Sequence, residues 1–340
     1  MYSGGYTVTT FGACILDADE LRLRSDEKAL FRDADPFGFI LFARNIDTPD
    51  QVRALCGDLR EAVGREAPIT IDQEGGRVQR LRPPHWREWL PPLEQVEKAG
   101  EHAAEAMYLR YRIIAAELRA IGIDSNCAPL VDVAGAATHP FLQNRCYGFE
   151  ADRVAQIGRA AADGLLDGGV LPVVKHIPGH GRAVVDSHLD LPVIDAEIEE
   201  LSDTDFAPFR ALNDLPMAMT AHLVYSRIGN APATTSGQIL KIIREDIGFD
   251  GLIMTDDISM KALRGSLSEL ARGSLSAGCD VVLHCNGTFA ERVEVAEAAG
   301  QMTEAAQIRA DRALEARKTP DEVDILALEA KLSALMNGQG

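Results

Sequence analysis

Eight short apolar runs, each followed by polar or helix-periodic sequence, constrain this chain more than any other feature. The runs are Thr9–Leu16, Gly38–Ala43, Pro68–Asp72, Ile123–Val131, Leu171–His176, Met217–His222, Gly251–Asp256 and Asp280–His284. Several are unbroken apolar stretches, as expected of strands buried on both faces of a parallel sheet. Between them, apolar residues recur at helical spacing. Val52, Leu55, Leu59 and Val63 share a face after a Thr48-Pro49-Asp50 start signal. Met107, Ile114, Leu118 and Ile121 do the same ahead of Gly122, and Val154, Ile157, Ala161 and Leu165 ahead of Gly168-Gly169. Further helices are expected over Gly237–Glu245, Ser266–Ala277 and Val323–Asn337, the last lying across a barrel end.

Eight βα alternations predict an α/β fold of the (β/α)8 TIM-barrel type. A doubly wound sheet is the alternative, but it wants a glycine-rich fingerprint after its first strand, and Gly4-Gly5 precedes any strand. No low-complexity linker divides the chain. We therefore expect one domain over residues 1–340, with C-terminal helices from about 288 packing on the barrel. At 340 residues and 46 % hydrophobic, the chain can bury a core of that size.

Charge and cysteines narrow the functional classes. The 34 Lys plus Arg stand against 52 Asp plus Glu, a formal net charge of −18, which disfavours nucleic acid and anionic membrane surfaces as partners. No apolar run approaches the ~18 residues of a membrane span. The opening Met1-Tyr2-Ser3-Gly4-Gly5-Tyr6 has no basic cluster leading an apolar stretch, so no secretory leader is expected. The six cysteines show no CxxC spacing, which fits neither a zinc site nor a disulfide framework and suits a reducing cytoplasm.

Polar residues gather where the apolar runs end: Asp72-Gln73-Glu74 after the third, Lys175-His176 at the fifth, His222 at the sixth, Asp256-Asp257 at the seventh and His284-Cys285-Asn286 at the eighth. The carboxyl ends of barrel strands are the rim that all eight βα loops shape, and charged groups there point to a ligand. Asp256, behind Leu252-Ile253-Met254, suits a nucleophile or a stabiliser of a cationic transition state; Asp257 is the better candidate for capping the next helix. In Asp186-Ser187-His188 an acid two residues from an imidazole can orient and tune a general acid/base. Lys175 admits three readings: a Schiff base, a hydroxyl donor or an ion-pair partner. Arg145 and Arg80 are candidates to fork onto hydroxyls or a carboxylate. His176, His180 and His188 lack the spacing of a metal site, so no metal is expected.

Three segments together resemble glycoside hydrolase family 3, and within it the bacterial single-domain β-N-acetylglucosaminidase branch. They are Ile71-Asp72-Gln73-Glu74-Gly75-Gly76-Arg77-Val78, Lys175-His176-Ile177-Pro178-Gly179-His180-Gly181 with Asp186-Ser187-His188 and Leu191-Pro192, and Thr255-Asp256-Asp257-Ile258-Ser259-Met260. Ile177 stands where Phe is frequent, an apolar exchange, and Arg182 where some members carry Asp. The resemblance implies a TIM barrel acting with retention of anomeric configuration and without metal or cofactor. It implies Asp256 as nucleophile, His188 as acid/base paired with Asp186, and Asp72, Arg80, Arg145, Lys175 and His176 as saccharide-binding residues. It implies removal of terminal N-acetylglucosamine from muropeptides in cytoplasmic cell-wall recycling by a monomer. Alternatives are a phosphorylase or a β-glucosidase or β-xylosidase of the same family and, in a different class, a Schiff-base aldolase acting through Lys175.

Overall fold

The computed structural model describes residues 10–185 and 190–338. Eight parallel strands close into a barrel in sequence order: β1 (Gly12–Asp17), β2 (Pro36–Leu41), β3 (Ile69–Ile71), β4 (Ser125–Asn126), β5 (Leu171–Ile177), β6 (Met217–Thr220), β7 (Leu252–Asp257) and β8 (Val281–Leu283), with β8 paired back to β1. This is the expected (β/α)8 barrel. Its strands are buried almost throughout, which explains their unbroken apolar runs.

The largest departure is β4, expected over Ile123–Val131 and observed as Ser125–Asn126 with an isolated bridge from Leu130 to Lys175. Pro129 has no N–H for the ladder, so the chain leaves regular pairing there. It stays attached through Val173 N–H to the Ala128 carbonyl (2.9 Å) and Val131 N–H to the Lys175 carbonyl (2.9 Å).

The helix signals hold locally. Thr48 caps Pro49–Val63, its hydroxyl accepting from Gln51 N–H at 3.3 Å. Ser266 and Glu269 form a reciprocal capping box at the start of Leu267–Ala277. The C-terminal helices need a correction. The last, Ile325–Met336, does not lie across a barrel end; it packs on the outer flank against Ala103–Ala120 and Pro92–Ala99. The amino-terminal end is instead covered by Glu304–Glu315 and the turn after it. There Arg309 pairs with Asp280 (3.0 Å), Arg312 with Asp250 (2.9 Å) and Arg317 with Asp124 (2.6 Å), each acid lying just before a barrel strand. Leu326 stays exposed while Leu332 and Leu335 are buried, so apolar spacing alone misplaced the helix.

Candidate active site

The opposite end of the barrel opens into a cavity of about 350 Å³. Asp72, Arg80, Arg145, Lys175, His176 and Asp256 all line it. Six residues expected in a site from sequence therefore meet in one place, although up to 184 positions separate them. Asp186 and His188 lie outside the described residues.

The loop after β3 sets one wall. Gln73–Gly75 and Val78–Gln79 form a small antiparallel ribbon. The Gln73 side-chain oxygen accepts from Arg80 N–H and Leu81 N–H, each at 3.0 Å. This folds Arg80 back onto Asp72, with Nη2 2.9 Å from Oδ2. The turn requires Gly75: its φ is +113°, and a Cβ there would lie 1.7 Å from Arg110 Nη2.

A charge network runs behind this wall. Lys175 Nζ lies 3.2 Å from Asp72 Oδ1 and 2.6 Å from Glu74 Oε1. Arg145 forks onto Glu74, with Nε to Oε2 at 2.9 Å and Nη2 to Oε1 at 2.8 Å. Burial alone would raise the Glu74 carboxyl, but Arg145 and Lys175 overcome it and hold the group at about 2. Asp72 is likewise held below the carboxylate range, against burial, by Lys175 and Arg80. Burial would lower the Lys175 ammonium, yet Glu74 and Asp72 keep it above the ordinary lysine value.

The Lys175 environment bears on its three readings. A Schiff-base lysine needs a free amine, favoured by desolvation or a neighbouring cation. Lys175 is a doubly paired ammonium, suited to donating its remaining proton to a ligand hydroxyl. Borohydride reduction in the presence of a carbonyl substrate is expected to leave Lys175 unmodified. A reduced adduct on its peptide in mass spectrometry would restore the aldolase reading.

Lys175 and His176 are neighbours on β5 yet both line the cavity; the pairing of β5 with β6 slips between Lys175 and Ile177. Asp132, buried beyond Val131, fixes His176. Its Oδ2 lies 2.8 Å from His176 Nδ1, while Oδ1 accepts from the backbone N–H of His180 at 2.7 Å and of His176 at 3.2 Å. A carboxylate on Nδ1 fixes the orientation of the ring.

Asp256 sits half-buried at the end of β7, its Oδ1 accepting from Asp257 N–H at 2.8 Å. Asp257 is committed elsewhere. It accepts from Ser259 N–H (3.0 Å), Ser259 Oγ (2.8 Å) and Cys285 N–H (3.1 Å), fastening the β7 and β8 loops. Burial pushes its carboxyl up to about 6 despite the Ser259 donors, with Asp256 adding repulsion. Of the two adjacent acids, Asp257 is the one seen to fasten these loops.

Of the other strand ends, Cys285 and Asn286 line the cavity, but His222 does not. Its Nδ1 meets Thr234 Oγ1 at 2.7 Å and its Nε2 the Asp257 carbonyl at 2.9 Å, so it braces the rim. Sequence reasoning missed the roles of Glu74 and Asp132. Glu74 lies two residues from Asp72, the strand spacing that places side chains on one face. Asp132 directly follows an apolar run, as the other strand-end polar residues do.

Known proteins share this arrangement of chain. The family model of the glycosyl hydrolase family 3 N terminal domain matches residues 13–315. A beta-hexosaminidase of Methylococcus capsulatus is 40 % identical over 272 residues, 78 % of this chain and 80 % of that protein. One from Thiobacillus denitrificans is 36 % identical over 290 residues, 82 % of this chain and 79 % of its own. The crystal structure of native NagZ from Neisseria gonorrhoeae superposes with a TM-score of 0.83 at 30 % identity, covering 97 % of this chain and 98 % of that one.

Proposed function

We propose, from the premise that this chain belongs to glycosyl hydrolase family 3 and is a glycosidase of the β-N-acetylhexosaminidase type, that it removes terminal N-acetylglucosamine with retention, through a covalent bond to Asp256. The observation that carries this reading is the convergence of Asp256 with Asp72, Arg80, Arg145, Lys175 and His176 on one cavity. Charge-paired groups, held rigid and out of bulk water, suit recognition of a sugar ring by its hydroxyls. A carboxylate at a strand end suits attack on its anomeric carbon.

In the first step an Asp256 carboxylate oxygen bonds to the anomeric carbon as the glycosidic C–O bond breaks. The electron pair of that bond goes to the leaving oxygen, which takes a proton from His188 as imidazolium. In the second, water attacks the anomeric carbon, neutral His188 takes its proton, and the Asp256 ester bond breaks. Asp186 holds the imidazole tautomer. Most glycosidases place a carboxyl where this scheme uses a His–Asp pair.

The natural substrate in this reading is a muropeptide, N-acetylglucosamine β-1,4-linked to 1,6-anhydro-N-acetylmuramic acid, handled in the cytoplasm by a monomer as a step of cell-wall recycling. Among the described residues no helix is long and apolar enough to cross a membrane. A panel of aryl β-glycosides differing at the 2-position tests the sugar. The 2-acetamido glycoside is expected to be cleaved fastest. Preference for the 2-hydroxy sugar would make the protein a β-glucosidase or β-xylosidase, and a rate requiring phosphate, with sugar 1-phosphate as product, would make it a phosphorylase.

His188→Ala separates the acid from the nucleophile. It is expected to slow substrates with poor leaving groups by roughly 10²–10⁴-fold, the usual range of general acid catalysis. Activated aryl glycosides should lose far less in the first step. Equal losses on both, read as kcat/KM, would remove His188 from the role.

A further inference from the structure

His180 is a buried group on the cavity that the mechanism above does not use. It lies in the loop Pro178-Gly179-His180-Gly181 after β5 and is only 6 % exposed. Its backbone is pinned on both sides. The N–H of His180 donates to Asp132 Oδ1 at 2.7 Å. Gly179 has φ +142°, and a Cβ at Gly181 would stand 1.9 Å from the Val133 carbonyl oxygen. The loop thus presses against its neighbours, and the ring is carried on a fixed frame.

That ring lines the cavity, yet neither Nδ1 nor Nε2 has a hydrogen-bond partner among the described residues. Its surroundings are otherwise satisfied: His176, with its ring centroid 5.5 Å away, is taken by Asp132. His284 is also buried without ring partners, but it does not line the cavity. A buried polar group left unmet costs free energy that a ligand can recover.

The ring chemistry selects the ligand group. Burial, with His176 and Arg145 beside it, lowers the imidazole to about 4 against the pull of Asp132 and Asp256. At neutral pH the ring therefore carries one N–H donor and one bare nitrogen acceptor. Its complement is a neutral substituent that both donates and accepts, a hydroxyl or an acetamide.

We propose that His180 is a direct hydrogen-bond partner of the saccharide, contacting one hydroxyl or acetamido substituent of the ring in the cavity. This rests on the glycosidase reading. It adds a specificity-determining residue to the site, distinct from the proton-transferring His188.

A chemical double-mutant cycle tests it. Wild type, His180→Ala and His180→Asn are assayed on an aryl 2-acetamido-2-deoxyglycoside and on analogues lacking the acetamido, 3-, 4- or 6-substituent. Wild type is expected to favour the parent over one analogue by about tenfold in kcat/KM, as one hydrogen bond to a neutral group allows. His180→Ala should lose that one preference and keep the others. His180→Asn, which retains a donor and an acceptor, should restore part of it. The acidic limb of the pH profile should stay where wild type has it. A uniform loss on parent and every analogue would overturn the proposal and leave His180 a packing residue. Melting curves guard against misfolding, and if the Ala variant does not fold, the Asn variant against wild type carries the same comparison. If wild type fails to cleave the parent, the glycosidase reading falls instead.

Discussion

Asp256→Ala is expected to fold, to bind N-acetylglucosamine within a few-fold of wild type, and to lose turnover by on the order of 10⁴-fold or more, as removal of a nucleophile does in enzymes with covalent intermediates. Binding survives because Asp72 is paired with Arg80 and Lys175, Arg145 is forked onto Glu74 and His176 is held by Asp132. Folding survives because the side chain is half-buried at the cavity mouth, and loop fastening falls to Asp257. Azide is small enough to fill the space of the missing carboxylate and attack from the same face. It should rescue an activated aryl glycoside and give a glycosyl azide of inverted configuration. Turnover within tenfold of wild type, measured without azide, would put the nucleophile elsewhere.

Glu74→Gln should be the most damaging substitution among residues that do not attack the sugar. The Glu74 carboxylate is wholly buried and lies against both Arg145 and Lys175. Removing its charge strips Arg145 of the carboxylate it forks onto and leaves Lys175 with Asp72 alone of its two acids. Breaking a buried ion pair by deleting one partner costs roughly 3–5 kcal/mol. Denaturant unfolding should show that loss in the midpoint, and KM should rise because Arg145 loses its anchor and Lys175 one of its two. The same pairs set a pH dependence. Glu74 ordinarily titrates near 4.5 and is held at about 2 in the folded protein. Its contribution to stability is therefore complete above about pH 4.5 and declines as pH falls toward 2. Glu74→Gln should flatten that acid decline. An unchanged midpoint and KM would mean that Arg145 and Lys175 find other partners.

Strand ends carried most of the legible signal. Apolar runs closing in Asp, Lys or His marked the rim on which the cavity opens, because the carboxyl ends of barrel strands are where the βα loops build a site. What stayed hidden were partnerships across the barrel. Sequence gives no sign that Glu74 meets Arg145 and Lys175, some 71 and 101 positions away, or that Asp132 orients His176. His222 looked equivalent to His176 in its place after an apolar run, yet its ring turns to Thr234 and braces the rim. Pro129 was visible, but its effect in shortening β4 was obscured by the apolar residues around it. The same insensitivity placed the last helix at a barrel end, when the cationic face of Glu304–Glu315 matches the acids there.

The central claim is that Asp256 forms the bond to the sugar. A mechanism-based probe tests it most directly: an activated N-acetylglucosaminide analogue bearing fluorine at C5, whose glycosyl-enzyme turns over slowly. After brief incubation and proteolysis, mass spectrometry should find one sugar equivalent on the peptide containing Thr255-Asp256-Asp257, with fragmentation placing it on Asp256. A label on Asp257, on any other residue, or on none while the probe is consumed at the catalytic rate would contradict the account.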